Sequence, residues 1–304
     1  MSEADNDLIR LCTGSKPSLN RILTLLTLNE DINVNCIDSE GETPFFQLIS
    51  NRNYDGKDLE DIVKIFLQKS MNVNFKTKSG QTALHLLIKN HHLGGDDSEI
   101  LINVMKLLIE HGLDVNCKDN GQKTALHILC RTCANGNLLK LIQFLAKNKV
   151  DMASHDRDGW NALHYVCENY HQDDLDKIIQ CFIDRGVDIN STKNDGENIL
   201  HILCRNYDGN RLEDVVRFLA TLNVDFNCRD NTEKNAFEVL IEFYQKENSQ
   251  DIVKIFVENG MDIRSSKEKS TAIVSYIKNN FDDQQFAKDI LELVTKHDHE
   301  TSQN

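Results

Sequence analysis

Proline is nearly absent: the 304 residues contain only Pro17 and Pro44. With no Pro/Gly/Ser-rich stretch either, the chain offers no flexible linker between separate domains. No run reaches the ~18 consecutive apolar residues of a membrane helix. The opening Met1-Ser2-Glu3-Ala4-Asp5-Asn6 is polar and lacks the basic-then-apolar layout of a signal peptide. Gly-rich phosphate loops, nucleophile elbows, His-Glu-x-x-His and kinase signatures are missing too, so the expectation is a non-enzyme with no cofactor. Basic residues are the scarcer charge, 34 Lys and Arg against 48 Asp and Glu, a formal net charge of -14. A phosphate backbone rewards Lys/Arg density, so nucleic acid and anionic membranes are excluded as expected partners. A protein with a basic or mixed-charge surface fits better. These features together predict a soluble, monomeric, cytoplasmic protein, with the nucleus as an alternative address.

Nine cysteines are present, and their spacing argues against a disulfide framework. Cys130, Cys167 and Cys204 each stand three residues after a histidine, whereas Cys36, Cys117 and Cys228 each directly follow an asparagine. Residues that recur in register serve packing, and a buried free Cys behaves as a small hydrophobe. The odd count also points to a reducing compartment. Cys130-x-x-Cys133 has no second pair at zinc spacing and falls on a predicted helix.

What the chain does have is a repeat. Thr82-Ala-Leu-His85 returns as Thr124-Ala-Leu-His127, then drifts to Asn161-Ala-Leu-His164 and Asn198-Ile-Leu-His201. Degenerate copies start at Thr43, Asn235 and Thr271, giving spacings of 39, 42, 37, 37, 37 and 36 residues. A period in that range means a stacked array. Each Thr or Asn is a plausible cap for a short helix, and Pro44 sits at the first helical position, where its missing N–H costs nothing. A polar turn follows, then a second apolar run with helical spacing, such as Leu101, Val104, Leu107 and Leu108. The second helix closes at Gly112, Gly186 or Gly260, or at Asn223, residues that tolerate a left-handed backbone. Ser70 and Lys149 stand at that place in two units, and those ends are expected to be less sharply fixed. A short extended piece such as Leu113-Asp114-Val115-Asn116 completes the unit. Neither helix can bury its stripe alone, so neighbouring units must supply the core.

These residues resemble the ankyrin repeat, whose pattern is close to Asp-Val-Asn, a few residues, Gly-x-Thr-Pro-Leu-His, then a Leu/Val-rich second helix. Gly80-Gln81-Thr82-Ala83-Leu84-His85 matches well. The resemblance implies an all-α solenoid of stacked helix-turn-helix units with short extended fingers. Residues 1–304 then form a single array: an N-terminal capping pair at 1–34, about six repeats over 35–270, a C-terminal capping pair at 271–297 and a tail at 298–304. The family unit is about 33 residues, shorter than the 37 found here. The excess falls between the helices, around Tyr54, Tyr170 and Tyr207 and in the loop His91–Ser98, as an extra helical turn or a longer loop. Those tyrosines are expected to pack the longer turn.

His85, His127, His164 and His201 suggest a metal ladder, but stacked helices lie about 10 Å apart and zinc needs its ligand nitrogens about 2 Å from one ion. No metal site is expected; in the family this histidine hydrogen-bonds loop backbone of the neighbouring unit. Some members are hydroxylated at the finger asparagine, and Asn35, Asn74, Asn116, Asn190 and Asn227 match that position, whereas Ala153 and Arg264 do not.

Recognition in such an array falls to the concave face, built from finger tips and the exposed side of each first helix. The candidate protein-binding residues are Trp160, Arg157, Asp158, Lys123, Glu197, Arg131, Glu168, Arg205 and Asn194. Trp160 is the only tryptophan and stands at a solvent-facing position mid-array, and central Trp and Arg dominate interface energy. Its ring either meets a partner or covers the adjoining finger. The function expected is protein–protein interaction, as an adaptor or an inhibitor. The alternative is a symbiont, parasite or viral effector that masks a host protein, such as a transcription-factor inhibitor of the ankyrin type.

Overall fold

A computed structural model gives the architecture and describes residues 2–14, 18–50, 56–90, 97–134, 136–244, 249–261, 275–277 and 288. The chain divides into two compact units, Met1–Arg157 and Asp158–Asn304. The described residues form helix pairs joined by turns, and no β-strand occurs among them.

In the first unit the pairs are α1 (Glu3–Thr13) with α2 (Leu19–Leu28), α3 (Pro44–Ser50) with α4 (Gly56–Gln68), α5 (Ala83–Asn90) with α6 (Asp97–Glu110), and α7 (Ala125–Thr132) with α8 (Leu138–Lys147). First helices pack in one row, α1 on α3, α3 on α5 and α5 on α7, and second helices in another, α2 on α4, α4 on α6 and α6 on α8. The second unit repeats the plan with α9 (Ala162–Asn169), α10 (Leu175–Ile183), α11 (Ile199–Asn206), α12 (Leu212–Thr221), α13 (Ala236–Phe243) and α14 (Ser249–Glu258). Its rows are α9–α11–α13 and α10–α12–α14. The core between the rows is Leu, Ile, Val and Phe, with Leu126, Leu163 and Leu200 fully buried at equivalent places. The capping pair expected over 271–297 and the tail lie almost wholly outside the described residues, as do Tyr54, Arg264 and most of the loop 91–98.

The extra length per repeat is loop. Five residues separate α9 from α10, and five separate α11 from α12. Tyr170 and Tyr207 pin these links: both are buried, and their N–H groups donate to Val166 and Leu203 at the ends of the first helices.

Ser70 and Lys149 depart from what the sequence suggests. Both adopt the left-handed backbone of the glycines they replace, with φ of 58° and 62°. The closing bonds are those of the glycine ends: Met71 N–H to Phe66 O and Val150 N–H to Leu145 O match Leu113 N–H to Leu108 O. Tertiary bonding overrides the Cβ penalty of about 1–2 kcal/mol. The overriding contact is the preceding finger's asparagine, whose Nδ2 donates to the Ser70 carbonyl from Asn35 and to the Lys149 carbonyl from Asn116.

Candidate protein-binding face

The scaffold consumes three positions per repeat. At the first-helix N-terminus the histidine Nδ1 accepts the cap N–H, from Thr82 at 3.1 Å, Thr124 at 3.0 Å, Asn161 at 3.0 Å and Asn198 at 3.3 Å. The remaining proton therefore sits on Nε2, which donates to the next finger's backbone. The acceptors are Lys123 O for His85, Ser154 O for His127, Ser191 O for His164 and Lys234 O for His201, all within 2.9–3.0 Å. Both ring nitrogens are engaged, which fits a neutral tautomer. Burial, the largest influence, holds the His85 and His201 pKa values below the ordinary histidine range. In the sixth repeat Glu238 replaces histidine: its Oε2 still accepts the Asn235 N–H at 3.0 Å, but a carboxylate has no proton for a neighbouring carbonyl.

The finger asparagines are the second engaged position. Each is exposed, yet its amide clamps the following helix end. Asn74 Nδ2 donates to Gly112 O at 2.8 Å, and its Oδ1 accepts from Asp114 N at 2.8 Å. Asn190 makes the same pair with Asn223 O and Asp225 N, and Asn227 donates to Gly260 O. The third position is the left-handed turn before the cap, held by Gln122 and Glu233 in two repeats and by glycine where the neighbour comes closest. A Cβ on Gly80 would stand 2.5 Å from Asn120 Oδ1 and 2.8 Å from Asn120 N, and one on Gly159 would stand equally close to Asn194.

Finger tips are bonded to one another within each unit. Arg157 Nη2 donates to Asn120 O at 2.6 Å, and Asn120 Nδ2 donates to Lys78 O. In the second unit Asn194 N–H donates to Asp158 O, and Asn231 Nδ2 donates to Asn194 O. Arg157, Asp158 and Asn194 are thus exposed and held in place by backbone contacts.

Trp160 and Glu197 are less open than their register suggests. The Trp160 ring is half-buried, stacked on Tyr165 at 4.8 Å and 26°, with Lys193 Nζ 4.4 Å over the ring. Lys193 stands where Asp38, Asp119 and Asp230 accept turn N–H groups. Its buried ammonium pairs instead with Asp195 at 2.9 Å and Glu197 at 2.6 Å. Glu197 is only 3% exposed, and its second oxygen holds the Arg205 guanidinium, which lies 5.5 Å over the Phe243 ring. The sequence signal for this cluster was the lysine at a turn position held by aspartate at 38, 119, 156 and 230 and by Thr77 in the second repeat. Phe243, half-exposed on α13, joins the face without having been singled out by the pattern.

The other candidates fall on the same kind of surface within their own units. Lys123 pairs with the buried Asp156 at 2.8 Å, Arg131 is exposed near the end of α7, and Glu168 is half-buried near the end of α9. The cysteines are free, and burial pushes the thiols of Cys12, Cys36, Cys117, Cys181 and Cys228 upward, Cys12 to about 12. Cys167 and Cys204 rise further, because both are fully enclosed in the core.

This bonding plan decides the family. Ankyrin-repeat models match residues 61–134 and 129–230, in three copies. The chain belongs to the ankyrin repeat family. Ankyrin repeats are protein–protein interaction modules, and no helix of the described residues is long and apolar enough to cross a membrane. Among solved structures the fold is similar to the ankyrin repeat domain of Bcl-3, a unique member of the IkappaB protein family, at 17% identity and a TM-score of 0.57, covering 84% of this chain and 98% of that one. A search of curated proteins returned no match.

Proposed function

We propose that this ankyrin-repeat protein is a non-enzymatic binding module, an adaptor or an inhibitor, that holds a partner protein on the finger and first-helix face of its units. One observation carries the reading. The cap, histidine and finger asparagine repeat with the same bonds, whereas the neighbouring residues before the cap change in charge and size: Glu42, Gln81, Lys123, Trp160, Glu197, Lys234. Positions free of scaffold duty, on a pre-organised surface, are where recognition is written. The preorganisation limits the entropy lost on binding. The cytoplasm is the proposed site of action, consistent with nine free thiols.

The finger asparagines are proposed as clamps first and as hydroxylation targets second, since both ends of the Asn35, Asn74, Asn116 and Asn190 amides are already bonded. Capture from a cell lysate tests the main reading. Wild type is compared with Arg157→Ala/Trp160→Ala and with Lys106→Ala/Lys140→Ala on the second helices, each checked by circular dichroism for equal folding. Loss of a captured protein with the first pair and retention with the second is expected. The reverse pattern would move the site to the second-helix side.

A further inference from the structure

The net charge hides a local reversal in the first unit. Lys89 and Arg131 occupy the same register position, each seven residues after its cap, on the adjacent helices α5 and α7. Both side chains are exposed, and neither has a hydrogen bond or ion pair among the described residues. On α11 and α13 of the second unit the residue just before the cap neutralises this position: Glu197 holds Arg205, and Lys234 holds Glu242 at 2.6 Å. Before the caps of α5 and α7 the residues are Gln81 and Lys123, neither of which is acidic. Among other cations of the first unit, Lys123 pairs with Asp156 at 2.8 Å and Lys78 with Glu40 at 4.0 Å, whereas Lys76, Lys118 and Arg157 donate to backbone carbonyls. In a chain of net charge -14, Lys89 and Arg131 are two equivalent cations on adjacent helices with neither an acidic nor a carbonyl partner among the described residues.

We infer that Lys89 and Arg131 form a docking site for an extended acidic protein segment crossing α5 and α7. This rests on the finger and first-helix reading above and deepens it by naming the partner's chemistry. Packed helices lie about 8–10 Å apart, and a polyproline-II chain rises about 3.1 Å per residue with three residues per turn. Carboxylates three residues apart on such a segment share a face and lie about 9 Å apart, matching the two cations. Arg131 supplies a planar fork for bidentate carboxylate binding, and Lys89 a mobile point charge. A phosphate backbone is the weaker fit, because the surrounding acidic excess repels a continuous polyanion, whereas a short segment brings only the charges the site can match.

The test is fluorescence anisotropy with a short labelled peptide carrying glutamate at every third position, its glutamine counterpart, and a labelled oligothymidylate of similar length. The glutamate peptide should bind wild type and weaken at raised salt. Lys89→Glu/Arg131→Glu should weaken it at least about tenfold, roughly 1.4 kcal/mol, and Lys89→Gln/Arg131→Gln by less. Both variants alter exposed positions, and circular dichroism verifies their fold. Equal binding by the charge-reversed variant, equal binding of the glutamine peptide, or no peptide binding at all overturns the inference. Preferential binding of oligothymidylate lost with the same variant also overturns it, in favour of a phosphate site. The broader reading is separable: a captured partner lost with Arg157→Ala/Trp160→Ala but kept with Lys89→Glu/Arg131→Glu leaves the face standing and removes only the acidic segment. Retention with both removes the face as well.

Discussion

The first and second units use one bonding plan and differ in what they do with charge at the ends of the first helices. In the second unit Glu197 locks Arg205 and Lys193, and Lys234 locks Glu242. In the first unit Lys89 and Arg131 stand open. The backbone, caps and core positions are the same, so the difference lies in side chains the scaffold does not need. A repeat protein can therefore change its chemistry from unit to unit without altering its stack, because stability is distributed over nearest-neighbour interfaces.

The largest expected effects fall on the shared part, where the two units should respond alike. Leu126→Ala in the first unit and Leu163→Ala in the second both remove fully buried side chains. Each should cost about 2–5 kcal/mol in urea unfolding; a large difference between them would break the equivalence. Next comes the charge comparison. Glu197→Gln leaves the Lys193 ammonium, 6% exposed, with Asp195 as its one remaining carboxylate, at a cost of about 1.5–3 kcal/mol. Lys89→Gln or Arg131→Gln should stay within about 0.5 kcal/mol, as exposed positions do. Similar stability losses in both units would mean that the open cations are structural.

The histidines give a pH signature of intermediate size. His85 in the first unit and His201 in the second are held neutral by burial, with pKa values below 6.5. The unfolded chain takes up protons near pH 6.5 and the folded chain does not, so stability falls as pH drops below that value and levels off below the folded pKa. The loss is read as a fall in urea midpoint between pH 7 and 5.5. Replacing either by glutamine should reduce that slope equally in the two units. Smallest is the gain from relieving the left-handed residues: Ser70→Gly and Lys149→Gly should each raise stability by up to about 1 kcal/mol.

Much of this was legible in the sequence because the repeated bonds are local. A Thr or Asn three residues before a His defines the cap, the helix start and the inter-repeat bond at once, and Cys130, Cys167 and Cys204 were read as core thiols from their register alone. The left-handed ends at Ser70 and Lys149 were not, because the finger asparagine that holds them lies 35 and 33 residues earlier. Exposure on the candidate face failed similarly. Glu197 shares a register position with Lys123, yet the lysine at 193 draws it inward, and Trp160 follows by covering that lysine. Register fixes where a Cα stands; cross-repeat partners fix whether the side chain above it is free.

The most direct measurement is amide hydrogen exchange of the chain alone and with a captured partner. The account predicts added protection over the finger turns and the exposed ends of the first helices, with the second helices unchanged. Protection confined to α4, α6 and α8, or to α10, α12 and α14, would contradict it.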